Sequence, residues 1–462
     1  MAVDAKHPEY VEHYPDWVTM RDCQGGERTV KAEGTRYLPM PSGFKLQEDQ
    51  GREMYGAYMM RAQYPEILAP TIEGMVGIIH RIESKIELPQ VMTYLTEKAT
   101  RDGLSLEALH KSITREVLLM GRYTLLADAP KQEEGGGEPY LAGYTAESLI
   151  NWSKDRDFYV LEEARYVRTD YNWEKKNFYR VLRLEDGHYT SQESVVEGGQ
   201  ELQSVVIPQA QGGQPFAEIP LVVIGARNLS VNIDDPPCIG VARSSLAIYR
   251  LDADYRHQLF MSGQETLFTV GLDVASLPKV LGAGVTVALP ENGDAKYVGP
   301  AGTGIEAHER AIAAERDNAV QAGARIFDSS AKAAESGEAL RLRYAAQTAT
   351  LTSVAIAVAQ GLEKALRYIA TFLGQDPNQV VVTPNLEFID NALSPTDAEA
   401  LVRMWQGRAI SYETMYDNLQ RGGIASAERT AAEERAVIDD EEPEPVTVDP
   451  LDDHNKQPQP AA

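Results

Sequence analysis

Apolar residues recur at helical spacing over much of this chain, and the longest such run lies between Ala339 and Leu373. Leu351, Val354, Val358, Leu362, Leu366, Ile369 and Leu373 are spaced 3, 4, 4, 4, 3 and 4 residues apart, which aligns them on one face of an α-helix. At a rise of about 1.5 Å per residue the predicted helix is roughly 50 Å long, far beyond the usual globular helix of about 11 or 12 residues. From Tyr344 to Leu362 the run carries no charge. Gln347, Thr348, Thr350, Thr352, Ser353 and Gln360 interrupt it and Glu363, Lys364 and Arg367 follow at once, which argues for a helix packed against protein rather than lipid. Two further helical runs precede it, Gly240 to Phe268 and Ile305 to Phe327. Between the second of these and the long helix, Asp328 to Glu338 is a polar stretch of small residues without periodicity.

Period-two patterns mark the strands. RYTLLAD after Gly121, two aromatic and β-branched runs within 157–208, IPLVVIG from Ile219, and VVVTPNLEFID after the long helix all read as strands. Within 157–208 the pattern predicts an antiparallel layer, with Asn172 to Lys176 as one connection and Asp186 and Gly187 as a hairpin turn. Thr269 to Gly304, crowded with Gly and Pro, predicts a small β-containing appendage with VTVALP and AKYVG as strands around Asn292 and Gly293. The first fifty residues, in which Tyr10, Tyr14, Trp17, Tyr37 and Phe44 are scattered among turn formers, predict an irregular arm. Apolar positions from Tyr58 to about Ile86 predict helices delimited by Pro65, Pro70 and Pro89. Ser105 is positioned to cap a helix that Gly121 ends, and Ser394 with Pro395, Ser411 and Ser426 mark three short helices near the C-terminus. From Asp439 onward the chain is acidic and Pro-rich, with too little apolar content to fold, and a disordered tail is expected. The fold class is therefore α+β, predominantly α.

Composition narrows the function. The 462 residues include 69 acidic and 44 basic side chains, a formal charge of −25, which opposes a general grip on nucleic acid but not a surface past which DNA slides. Hydrophobic content of 43% is enough for real cores. Only Cys23 and Cys238 are present, so there is no disulfide framework and no cysteine zinc site, and a reducing compartment is expected. The N-terminal residues lack an apolar signal segment. No G-x-x-x-x-G-K-S/T loop, no His pair at metal-binding spacing and no G-x-S-x-G elbow is found. Glu162 and Glu163 are adjacent on a predicted strand and so point to opposite faces, unsuited to paired-carboxylate chemistry. Neither a catalytic residue nor a cofactor or metal site is expected. A cytoplasmic hydrolase or transferase with dispersed catalytic residues, or another multimeric virion protein such as a head or baseplate component, stays open as an alternative.

The order of these parts resembles the portal proteins of tailed bacteriophages, the head-to-tail connector ring through which DNA enters and leaves the capsid. The resemblance is carried by DDPPCIGVARSSLAIYRLDADYRHQLF leading into a helix, SGEAL ahead of the long helix and GRAISYETMYDNL near the C-terminus. It implies an N-terminal arm and wing over 1–239, a first stem helix over 240–268, an α/β clip over 269–304 and a second stem helix over 305–327. A tunnel loop over 328–338, a long wing helix and wing strand over 339–393 and a small helical crown over 394–438 would follow, ahead of the tail at 439–462. By the same resemblance Asp328, Ser329, Ser330, Lys332, Glu335, Ser336, Gly337 and Glu338 would face DNA in the channel, with Lys332 approaching phosphate and Gly337 as a hinge. Glu306, Glu309, Glu315, Arg310, Arg316 and Arg325 would pair across adjacent stems of a homo-oligomeric ring, expected to be a dodecamer. Implied partners are double-stranded DNA bound without sequence specificity, the large terminase subunit, head-completion or adaptor proteins, and the major capsid and scaffolding proteins, but no membrane. The implied location is the portal vertex of the virion, reached from the host cytoplasm during assembly.

Overall fold

A computed structural model describes residues 3–42, 44, 49–130, 137–197, 200–208, 214–263, 266–271, 291–298, 304–323, 337–386, 388, 395–421, 424–426 and 429–440. The chain divides into a large unit, Met1–Leu386, and a small one, Glu387–Ala462.

The large unit opens with helices, not with an irregular arm. α1 (Pro8–Gln24) is capped by the His7 ring, which accepts from Glu9 N, and has Pro8 in its first turn, where a missing N–H has no helical partner to lose. Pro15 lies inside it. Tyr10, Trp17, Met20 and Cys23 are buried along α1, and Trp17 Nε1 donates to the Met120 carbonyl at 3.0 Å. The aromatic residues that looked scattered are thus one helix face bound to the core, and that burial outweighs the proline signals. α2 (Glu27–Ala32), α3 (Asp49–Arg61) and α4 (Leu68–Ile79) follow, with Pro65 between the last two and Pro70 tolerated in the first turn of α4. Helix does not reach Ile86, which lies in the short strand β1 (Lys85–Glu87).

α5 (Leu106–Met120) starts and stops as its sequence predicts: Ser105 Oγ accepts from Ala108 N, and Gly121 ends the helix at φ 73°. It leads directly into β2 (Arg122–Asp128), then β3 (Tyr140–Thr145) and β4 (Leu149–Trp152). β5 (Phe158–Thr169), β6 (Asn172–Glu185), β7 (His188–Glu197) and β8 (Gln200–Val206) form with β4 a five-stranded antiparallel sheet in the order β4-β5-β6-β7-β8. The Asp186–Gly187 turn has φ of 52° and 77°, as a two-residue hairpin requires. The other hairpin turns at Asp170 and Tyr171, so Asn172 to Lys176, expected as a connection, begins β6 instead. β9 (Leu221–Gly225), itself buried at every residue, completes a second, three-stranded sheet, β3-β2-β9.

α6 (Ile239–Ser262), β10 (Thr266–Val270), β11 (Asp294–Val298), α7 (Ile305–Ala322) and α8 (Gly337–Phe372) come next. α8 is the axis of the unit. Leu351, Val354, Val358, Leu362, Leu366 and Ile369 of the predicted face are all fully buried, and so are alanines on its other sides, including Ala357, Ala365 and Ala370. The helix packs across β9 and β2 on one side and α5 on another, so it is enclosed rather than half-exposed. β12 (Val381–Thr383) pairs antiparallel with β1, and Glu363 on α8 accepts from Val382 N at 2.9 Å, which ties this small sheet to the axis. Ion pairs join the layers where carboxylates would otherwise be buried alone. Arg21 on α1 meets Glu116 at 2.6 Å and Glu147 at 2.7 Å, and Arg180 on β6 meets Glu163 at 3.1 Å beside Asp128. Both cysteines are buried.

The small unit holds α9 (Pro395–Gln406), α10 (Tyr412–Arg421) and α11 (Ala431–Asp440). Ser411 caps α10 by accepting from Thr414 N. The cap of α11 is Thr430, not Ser426: its hydroxyl accepts from Glu433 N while the Glu433 carboxylate accepts from Thr430 N, a capping box. Tyr412 stacks on Tyr416, whose hydroxyl donates to the carbonyls of Ser426 and Arg429. Ser394 and the tail beyond Asp440 lie outside the described residues. The chain is mixed α and β with helix in excess, the α+β class expected.

Candidate functional site: a helix pair ending in a hairpin

α6 and α7 lie antiparallel. A Cβ on Gly240, at the start of α6, would stand 2.8 Å from that of Ala322 at the end of α7, and one on Gly304, ahead of α7, would stand 2.8 Å from the Gln258 side-chain amide near the end of α6. Tyr255 OH donates to Glu309 Oε1 at 3.0 Å between the two. At about 1.5 Å per residue the pair is roughly 30 Å long.

Its two ends differ in burial. Val241, Ala242, Ser245, Leu246, Ile248, Tyr249 and Ala253 of α6 are enclosed by the large unit. Polar contacts hold the middle of the helix: Arg250 Nε donates to the Tyr37 carbonyl, Tyr58 OH to Asp254 Oδ1 at 2.6 Å, and Asp252 receives both Gln63 N and Arg256 Nε at 2.7 Å. Beyond Tyr255 no residue of α6 is buried, and Leu259, Phe260 and Met261 are exposed at its end. Along α7, Ala319 is the one buried residue, near the base of the pair. Arg61 on α3 still stacks over the Phe260 ring at 3.6 Å, so it is α7 and the end of the pair beyond Phe260 that project from the body, and β10 and β11 lie at that end, paired antiparallel in the register Thr266↔Val298 to Val270↔Asp294. Phe268, Val270, Tyr297 and Val298 are exposed on that hairpin.

Here the sequence expectation is corrected in detail. The first helix stops at Ser262, so Leu267 and Phe268 belong to a strand; the Thr266–Val270 segment, TLFTV, is rich in β-branched and aromatic residues, a strand signal that the preceding helical run had masked. The partner of β11 is this segment. VTVALP, expected as a strand, lies outside the described residues.

Among the expected stem contacts, Glu306, Glu309, Arg310, Glu315 and Arg316 all lie on α7, and every one but Glu315 is exposed. Their signs interleave along the helix: Glu306 and Arg310 are four residues apart and Glu309 and Arg316 seven, each pair on one side. Arg310 Nε donates to the Glu306 carbonyl and Glu309 accepts from Tyr255, but none of the five forms an ion pair among the described residues. Arg325 lies outside them, as do Asp328, Ser329, Ser330, Lys332, Glu335 and Ser336 of the expected tunnel loop. Gly337 and Glu338 are described and form the first turn of α8. Glu162 and Glu163 do point apart: Glu162 accepts from Asn177, and Glu163 from Tyr144 and Arg165 on the other face.

Among the described residues no group of His, Cys, Asp and Glu is arranged to hold a metal ion, and no helix is long and apolar enough to cross a membrane. A domain of unknown function, DUF4055, matches residues 237–373. Those limits run from the base of α6 to the end of α8, so the projecting pair, the hairpin and the axial helix recur together as one sequence unit. No characterised protein matches the chain in sequence. Among solved structures, a chain in the neck of an empty GTA particle, computed with C6 symmetry, is similar at 15% identity and a TM-score of 0.41, over 80% of this chain and 93% of that one.

Proposed function

We propose that this chain is a structural subunit of a head-to-tail connector, the portal ring of a tailed phage, and that it acts without catalysis. The observation that carries the reading is the projecting α6–α7 pair: a helix, α7, with one buried residue and an exposed apolar hairpin at its end is a poor structure for a monomer and a good one for a ring, where each pair lies between two others. In this reading the pairs line up as the wall of a channel, the hairpin end docks head-completion proteins and the large terminase subunit, and the sheets of the large unit meet capsid and scaffolding proteins. The small unit is the crown. DNA passes during packaging and ejection without base readout, since a chain of net charge −25 holds phosphate weakly, and ATP is hydrolysed by the terminase partner. Lys332 in the 328–338 segment is the residue assigned to phosphate contact.

Electron microscopy of the purified protein, with mass photometry on the same sample, tests this. Rings with a central hole and the mass of a dodecamer, or of a neighbouring symmetry, are expected. A homogeneous monomer at every concentration and salt, even beside capsid partners, would exclude the reading. Once rings are in hand, Lys332→Ala is expected to leave them intact and change DNA packaging or retention.

A further inference from the structure

The β5–β6 hairpin outruns its sheet. β7 pairs with β6 only as far as Phe178, so Ala164–Thr169 and Asn172–Asn177 pair with each other alone. At about 3.3 Å per residue this two-stranded arm extends roughly 20 Å, and such a hairpin is marginal in water without something to pack on. Its surface suits a partner. Tyr166 stands opposite Lys175 and Arg168 opposite Trp173, so all four share one face. Tyr166 is 68% exposed, Trp173 64%, and Tyr171 in the turn 92%. Arg168 Nε donates to the Asp170 carbonyl at 2.6 Å, which holds its guanidinium beside the turn. Large aromatics next to Arg are the residues that dominate protein interfaces once water is excluded from them. The two charges on that face, Arg168 and Lys175, are both cationic, whereas Arg165 is already paired with Glu163 and Glu193, and the chain as a whole carries −25.

We propose that this arm is an assembly arm whose tip, Tyr166, Arg168, Tyr171, Trp173 and Lys175, docks on a carboxylate-bearing face of a second copy of this chain. The charge complementarity of that cationic face with an acidic chain selects that occupant, and the inference rests on the ring reading, which supplies the neighbouring copy.

The test is photo-crosslinking of the full chain with p-benzoylphenylalanine in place of Tyr171, in assemblies mixed from ¹⁴N and ¹⁵N copies. Crosslinked peptides joining heavy to light copies at acidic segments are expected, and Arg168→Glu with Lys175→Glu should lower their yield at least about tenfold with the circular dichroism unchanged. Intact rings with crosslinks only within one copy, with none, or only to an added capsid protein would overturn the arm and leave the ring standing. Loss of the crosslink on adding a single-stranded oligonucleotide would overturn it in favour of nucleic acid. A chain that never leaves the monomer would sink the ring reading, and the arm with it.

Discussion

His80 and His110 meet edge to face with ring centroids 4.7 Å apart, and His80 Nε2 lies 2.8 Å from Thr114 Oγ1. Burial, with some help from Lys111, pulls both below the ordinary value of 6.5, His80 to about 4 and His110 to about 3. Both are neutral in the fold at pH 7. A folded pKa below the unfolded one means that the unfolded chain takes up protons first, so their stabilisation is complete above pH 6.5 and is lost as pH falls towards 4 and then 3. Each histidine is expected to cost about 1 kcal/mol of stability per pH unit below 6.5. Urea unfolding at pH 7 and pH 5 checks this, and His110→Leu should flatten the dependence. His7, lowered by its burial, adds to the loss in the same window, whereas Glu147, buried but held below 4.5 by its hydrogen bonds to Arg21, acts only in more acid solution.

At the scale of elements, α8 packs tightly on β9. A Cβ at Gly361 would meet the Ile224 side chain at Cγ1 and Cδ1. Gly361→Ala is expected to lower stability by about 1–3 kcal/mol despite its better helix propensity, and Ile224→Val, which removes Cδ1, should recover part of that loss. Thermal or urea unfolding of the single and double variants measures it; a neutral Gly361→Ala would mean that the two elements pack more loosely. Elements whose signals are local were legible in the sequence: α5 from Ser105 and Gly121, the buried face of α8 from its spacing, β7 from the Asp186–Gly187 turn. Those decided by distant contacts were not. α1 is a helix although Pro15 lies inside it, because its buried face, with Trp17 bound to the Met120 carbonyl, is held by residues far along the chain. The protruding arm was hidden for the same reason, since it exists only because β7 stops short of it.

For the whole molecule, the balance of forces in the proposed ring can be set in advance. Exposed ion pairs contribute about 0–1 kcal/mol each and are screened by salt, so Glu309→Lys and Arg316→Glu are expected to leave rings largely assembled, and so is 1 M salt. Phe268→Ser, on the exposed face of the β10–β11 hairpin, should instead shift the mass distribution towards smaller species in mass photometry. The reverse pattern would mean that charge, not apolar contact, holds the subunits. The burial of Cys23 and Cys238, with their thiols pushed up to about 11 and about 12, has a practical side. Neither presents a thiolate to solvent, so the folded chain is chemically silent towards maleimides. A single cysteine placed on β11 or along α7 would be the lone reactive handle on each copy, and dyes or spin labels attached there would report distances between neighbours without first stripping the native thiols.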